Sequence, residues 1–158
     1  MDVIKGLIGS IIILIILGLV GCAQPTSYTK ASSSITGYGY RDKRINGDEF
    51  SIVVLGNLST SQARVAEIAL LRAARLTKEE SRTHFVIIKQ KAITAGRAVI
   101  NSIPLFVGGV FTSVPVGERV IEEPMAILLI RLLPLQAACP PDALNADEVI
   151  KQIAKHLE

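Results

Sequence analysis

Cys22 is the residue whose setting most invites chemistry. It follows Leu19-Val20-Gly21 and closes an uncharged run, Leu7–Gly21, in which every residue of Ile11–Val20 except Gly18 is Ile, Leu or Val. A thiol there is a nucleophile, and the small Gly21 leaves the preceding bond open to a peptidase. Elsewhere the means for catalysis are thin. The second thiol, Cys139, precedes Pro140-Pro141, and the imidazoles are His84 and His156. In an oxidising compartment Cys139 has no internal partner, so it is either buried or open to an intermolecular bond. A Cys139–histidine enzyme would need the fold to bring those residues together. His84, just before a strand, reads as a satisfied edge residue. His156, near a helix C-terminus, gains from the dipole when charged. Glu79-Glu80 and Glu122-Glu123 are adjacent pairs, and adjacent side chains in a helix or strand point apart, so they read as solvated charge. Gly37-Tyr38-Gly39 lacks the rest of a nucleotide fingerprint, and no Walker sequence or Gly-x-Ser-x-Gly elbow occurs. The expectation is therefore no catalytic residue, no cofactor, no metal site and no enzymatic activity.

The start of the chain has the parts of a secretory signal: a short n-region with Lys5, an apolar stretch and a small residue at the cut site. Leu19-Val20-Gly21-Cys22 resembles a lipobox, the pattern read by the bacterial lipoprotein pathway. That resemblance implies diacylglycerol (and palmitate-like acyl chains) on Cys22, cleavage before it and Cys22 as the first mature residue. Each buried methylene contributes about 0.8 kcal/mol, so two or three chains anchor a protein firmly where one does not. The alternative is an uncleaved transmembrane helix, but Leu7–Gly21 is shorter than the roughly 20 residues a span needs. Ala23 stands where an inner-membrane lipoprotein usually has Asp. The pathway resemblance therefore implies the outer membrane, facing the periplasm.

Length and composition bound the rest. The 158 residues allow one domain plus an appendage, and 49% hydrophobic content excludes a disordered chain. A formal net charge of +3 is too mild to suggest a nucleic-acid partner.

The elements that must position any site follow from periodicity. Residues 1–21 read as a signal peptide, 22–36 as a flexible tether rich in Ser, Thr and Ala, and 37–158 as a single domain. Gly37–Asn57 reads as a β-hairpin turning at Asn46-Gly47, with Phe50, Ile52 and Val54 on one face. Ser59–Arg82 reads as the main helix, with Ser59-x-x-Gln62 as a capping box and Val65, Ala69, Ala73 and Leu76 on one side. Phe85–Gln90 and Met125–Leu133 read as strands, the second apolar on both faces and so expected in a covered sheet. Asn145-x-x-Glu148 starts a last helix with an apolar stripe of Val149, Ile150, Ile153 and Leu157. Residues 91–123 form an irregular or extra-hairpin insert in which Val107-Gly108-Gly109-Val110 is a possible turn. The fold class is α+β: a small, mostly antiparallel sheet of order β-β-α-β-…-β-α with two helices packed on one face.

Several stretches resemble one family. They are Gly37-Tyr38-Gly39-Tyr40, Phe50-x-Ile52-x-x-x-Gly56-Asn57, Thr60-Ser61, Ala69-Leu70-Leu71-Arg72-Ala73-Ala74-x-Leu76-Thr77 and Phe85-Val86-Ile87. Their order behind a lipobox is similar to that in a family of small, uncharacterised bacterial envelope lipoproteins. The likeness covers roughly 37–90 and 123–157. The chain departs from the family where Ser81-Arg82-Thr83 replaces a Gly after the main helix, and in a shorter 91–123 region. The resemblance implies location and fold, and no activity.

Two surfaces offer themselves for interaction. On the main helix Ile68 and Leu71 lie within about 40° of Arg64 and Arg75 at roughly 100° per residue, so an apolar pair ringed by arginines would suit a partner or anionic headgroups. The competing reading is that the last helix covers Ile68 and Leu71. Phe106 and Phe111 flank Gly108-Gly109, and an apolar hairpin there would touch lipid or a partner, unless it is two more core strands. The function expected is a non-enzymatic envelope lipoprotein that binds another envelope component or supports envelope integrity. The alternative is a small-ligand binding or sensing lipoprotein with a pocket near Tyr38 and Tyr40.

Overall fold

The alternating apolar residues of the first hairpin pair as the sequence suggests. β1 (Gly39–Asn46) runs antiparallel to β2 (Glu49–Leu55), from Gly39 opposite Leu55 to Asn46 opposite Glu49. The turn sits at Gly47-Asp48, one residue beyond the expected position. In this computed structural model, residues 24–107, 110–135 and 139–157 are described, and the side chains of 103–111 are not. The sheet has five antiparallel strands in the order β1-β2-β4-β3-β5, with β3 at His84–Val107, β4 at Val110–Leu132 and β5 at Leu144–Asn145. Together with two helices it makes the expected α+β fold.

Helix α1 (Gln62–Glu79) starts at Ser61, whose side chain accepts a hydrogen bond from Arg64 N. The capping box at Ser59 is not used, because Gln62 donates instead to the Met125 carbonyl across the domain. The helix stops because Ser81 adopts φ 55°, a left-handed conformation. Arg82 N then reaches Thr77 O and Ser81 N reaches Lys78 O, the paired bonds of a Schellman motif. Glycine usually fills that position, and serine there carries strain. The second helix, α2 (Ala146–Leu157), is capped by Asn145, whose Oδ1 accepts from Asp147 N and Glu148 N.

Inward residues of the sheet and α1 form one core: Phe50, Ile52, Val54, Val65, Ala69, Ala73, Leu76, Phe85, Leu128, Ile130 and Leu132, closed by Val149 and Leu157 of α2. Both Ile68 and Leu71 belong to it and are fully buried. α1 is squeezed between the sheet and α2, so nearly its whole circumference is inside. Neither helix packs on the sheet's other face. There Val53, Leu55, Met125, Ile127 and Leu129 are half-buried, which corrects the expectation that the Met125–Leu133 strand is covered on both sides.

The segment read as a free tether is docked. Thr26 is buried, donates its N–H to Thr60 Oγ1 at 2.8 Å and accepts from Asn57 N at 2.9 Å, while Arg64 Nε donates to its carbonyl at 3.0 Å. Lys30 bridges to Tyr40, and Ala31, 3% exposed, starts a 3-10 turn at Ala31–Ser33. Gly39 makes this close approach possible: its φ is +119°, and a Cβ there would sit 2.2 Å from Thr29 O. Polar composition suggested solvated chain, but these Thr hydroxyls satisfy buried backbone groups instead.

Of the two readings of 91–123, irregular insert or extra hairpin, the backbone forms the hairpin. β3 and β4 pair continuously from Phe85–Leu132 to Val107–Val110, with shifts at Ile87/Lys89 and Asn101/Ser102. The short hairpin suspected around Gly108-Gly109 is the far end of this ladder, and those two glycines lie outside the described residues.

The candidate interaction site: an arm and its charged base

Strand β2 stops at Leu55, whose partner Met125 also pairs with Ile93. Beyond that level the sheet narrows to two strands, 94–107 and 110–124. At about 3.3 Å per residue this ribbon is about 45 Å long. Its charges crowd at the base: Arg97, Glu118, Arg119, Glu122 and Glu123, with Val99 opposite Arg119 and Ile100 opposite Glu118. From Ala98 to Gly117 there is none. Ile100, Val116 and Val120 are 67%, 55% and 66% exposed.

The base is held by a buried carboxylate. Glu123, 1% exposed, accepts from the Tyr38 hydroxyl and, at 2.9 Å, from Arg97 Nη2, which also reaches the Tyr38 oxygen at 2.8 Å. Because the phenol donates to a carboxylate, and because it is partly buried beside that charge, the Tyr38 pKa is raised above the ordinary tyrosine value. Glu122-Glu123, read as a solvated pair, therefore splits: Glu122 is exposed and Glu123 is the anchor. Nothing in the sequence marks the difference, since Tyr38 is 85 residues away.

The N-terminal segment reaches the same end of the domain. Asn57 Nδ2 donates to Gln24 O at 2.8 Å, and neighbouring Gly56 N donates to Pro124 O at 2.9 Å, at the arm's first rung. Cys22 lies outside the described residues, but two residues span at most about 7 Å.

Of the expected surfaces, the one on the main helix is corrected. Ile68 and Leu71 are core. Arg64 holds Thr26 O, and the Arg75 guanidinium lies 4.5 Å from the Tyr28 ring centre. The ligand pocket expected near Tyr38 and Tyr40 is filled on its Tyr40 side, since Tyr28 stacks on Tyr40 at 4.9 Å and Arg72 lies over the Tyr40 ring, while a small cleft lies beside Tyr38. Arg72 also binds Glu79 through two bonds, at 2.6 and 2.9 Å, and Asp42 at 3.0 Å. Burial works to lower its pKa, but these carboxylates outweigh it and the pKa rises. Burial raises the Tyr28 pKa and the Tyr40 phenol adds to that, against the lowering pull of Arg72 and Arg75. Phe106 and Phe111 are directly paired on the backbone at the arm's end, and their side chains lie outside the described residues.

Among the described residues, two concavities bear on a ligand. A cleft of about 150 Å³ beside Tyr38 is lined mainly by Thr26, Thr29, Thr36 and Asn57. An open trough of about 410 Å³ lies on the uncovered sheet face, with Ile45, Ile127 and Leu129 flanked by Ser51, Lys89 and Lys91. Cys139 is exposed rather than buried. His84 Nδ1 bonds with Thr83 Oγ1 at 2.9 Å, and His156 is exposed on the last turn of α2. Among the described residues no group of His, Cys, Asp or Glu is placed to hold a metal ion, and no helix is long and apolar enough to cross a membrane. Compared with known protein families, curated proteins and solved structures, the chain finds no match.

Proposed function

We propose that this protein is a lipid-anchored, non-enzymatic component of the bacterial cell envelope, in the outer membrane and facing the periplasm, that presents its β-arm to another envelope component. One observation carries the reading. Gln24, two residues past the lipobox cysteine, is fixed by Asn57 at the end of the sheet from which the arm leaves. Acyl chains on Cys22 would hold that end near a bilayer. The resemblance to uncharacterised envelope lipoproteins points to the same compartment.

Mass spectrometry of the mature protein from bacterial membranes tests this. The expected result is an acylated N-terminal peptide beginning at Cys22, lost together with membrane retention in Cys22→Ser. Retention of the Cys22→Ser protein with normal processing would overturn the anchor. A second reading, a lipoprotein that binds a small amphiphilic anion, is favoured by the trough, whose apolar floor is flanked by Lys89 and Lys91.

A further inference from the structure

The geometry points to a membrane role for the arm itself: we infer that the charge-free part of the ribbon, 98–117, enters the bilayer, and that the arms of several copies of this chain pair edge to edge into a closed barrel. The inference rests on the envelope reading above for its direction, and on the ribbon for its content.

Length comes first. Residues 98–107 are ten and 110–117 are eight, without a charge among them. A membrane β-strand needs about 9–11 residues at a tilt near 45°. At about 3.3 Å per residue and a tilt of about 40°, the ten residues of β3 rise about 25 Å, the height of the apolar band of outer-membrane barrels, and the eight of β4 rise about 20 Å, so Glu118 and Arg119 fall at its margin. Charge begins at the foot of that band: Glu118 faces Ile100, Arg119 faces Val99, and Arg97 lies two rungs further down opposite Ile121, with Tyr38 against Arg97.

Alternation comes second. One set of paired positions, Ile103–Val114, Leu105–Thr112 and Val107–Val110, is almost wholly apolar. The set between them holds Ser102 opposite Pro115, Pro104 opposite Ser113 and Phe106 opposite Phe111. Strands of a membrane barrel keep their more apolar set toward lipid and the less apolar one toward the lumen, and here Ser102 and Ser113 both fall in the second set.

Edges come third. Among the described residues each strand of the arm pairs with the other alone, so its outer N–H and C=O groups have no ladder partner there. In water this costs little. In hydrocarbon each unsatisfied group costs several kcal/mol, so a lone hairpin cannot enter and a closed ring can. Head-to-tail copies supply that ring, since β4 of one arm lies antiparallel to β3 of the next. Pro104 and Pro115 fit a ladder where their nitrogens face outward. Each edge then lacks one donor, and a register placing Pro104 opposite Pro115 of the next copy confines the gap to one rung.

The test uses the full mature protein, purified from membranes and reconstituted into phosphatidylethanolamine–phosphatidylglycerol vesicles holding a dye. The expected result is dye release, crosslinked oligomers, and protection of the Phe106 and Phe111 sites from chymotrypsin. Ile100→Asp combined with Val116→Asp, both at exposed positions, should cut release at least tenfold while leaving the far-ultraviolet circular dichroism unchanged; Ile35→Asp, off the arm, should not. The inference is overturned if the vesicle-bound protein stays monomeric and is cut as fast as the vesicle-free protein, if it fails to bind vesicles, or if the double variant releases dye like the parent. Protection in whole envelopes but not in pure vesicles would assign the arm to a different protein and equally overturn it. The mass of the Cys22 peptide, read on the same sample, separates the two readings. Acylation with a cleavable arm sinks the barrel alone, and a protected arm on an unmodified Cys22 sinks the anchor alone.

Discussion

Replacing Arg97 by Met should weaken the base of the arm, and the cost follows from what surrounds Glu123. Its carboxylate is 1% exposed and has two donors, Tyr38 and Arg97. A hydrogen bond to a charged group contributes about 1.5–3 kcal/mol. The Arg97 side chain is 52% exposed, so water screens its half of the pair and the expected loss is about 1–2 kcal/mol. Tyr38→Phe should cost a similar amount. Because both donors serve the same oxygen, the double variant leaves a buried carboxylate with neither, and its loss should exceed the sum of the singles by about 1 kcal/mol or more. Urea denaturation of the three variants and the parent measures this cycle. Losses that add within about 0.5 kcal/mol would refute the idea of a shared anchor. The alkaline limb gives a second readout. The folded-state pKa of Tyr38 is raised, chiefly by its bond to Glu123, so the folded protein holds its proton more tightly than the unfolded chain. That part of the stability is fully present below about pH 10 and is lost as pH rises through the higher folded value. Tyr38→Phe should flatten this limb, leaving the part due to Tyr28, whose pKa is also raised.

Two further variants test the packing. Leu71→Ala should destabilise by about 2–5 kcal/mol in urea denaturation, as expected for a fully buried leucine; a change below about 0.5 kcal/mol would return Leu71 to the surface. Ser81→Gly should stabilise by about 0.5–1 kcal/mol, because glycine relieves the left-handed strain and gives back part of the gain as unfolded-state entropy. A lower thermal midpoint for this variant would contradict the Schellman geometry.

Local pattern made much of the domain legible. Phe50, Ile52 and Val54 alternate because β2 has one wet and one dry face, and Asn145 caps α2 because its side chain is short enough to reach the first free amides. The 91–123 region was legible only in part: a hairpin between Val107 and Val110 is one of its two readings, but Gly96, Pro104, Pro115 and Gly117 punctuate the rest like a loop. A two-stranded ribbon tolerates prolines at its free edges, so the same residues sit within one ladder that shifts register only at Ile87/Lys89 and Asn101/Ser102. The docking of 24–36 was hidden for a related reason. Threonines look solvated in a one-dimensional reading until Thr26 meets Thr60, 34 residues on.

The sequence by itself determined the uncharged apolar run ending at Cys22, the α+β class and the charge-free stretch 98–117, because each is a property of neighbouring residues. Tertiary structure alone decided that Ile68 and Leu71 are core and that Glu123 is an anchor while Glu122 is not. It also decided that Gln24 and the arm leave the domain at one end. All three depend on contacts between distant parts of the chain, and such contacts are fixed by how helix, sheet and N-terminal segment close around a shared core, a constraint that no local spacing records.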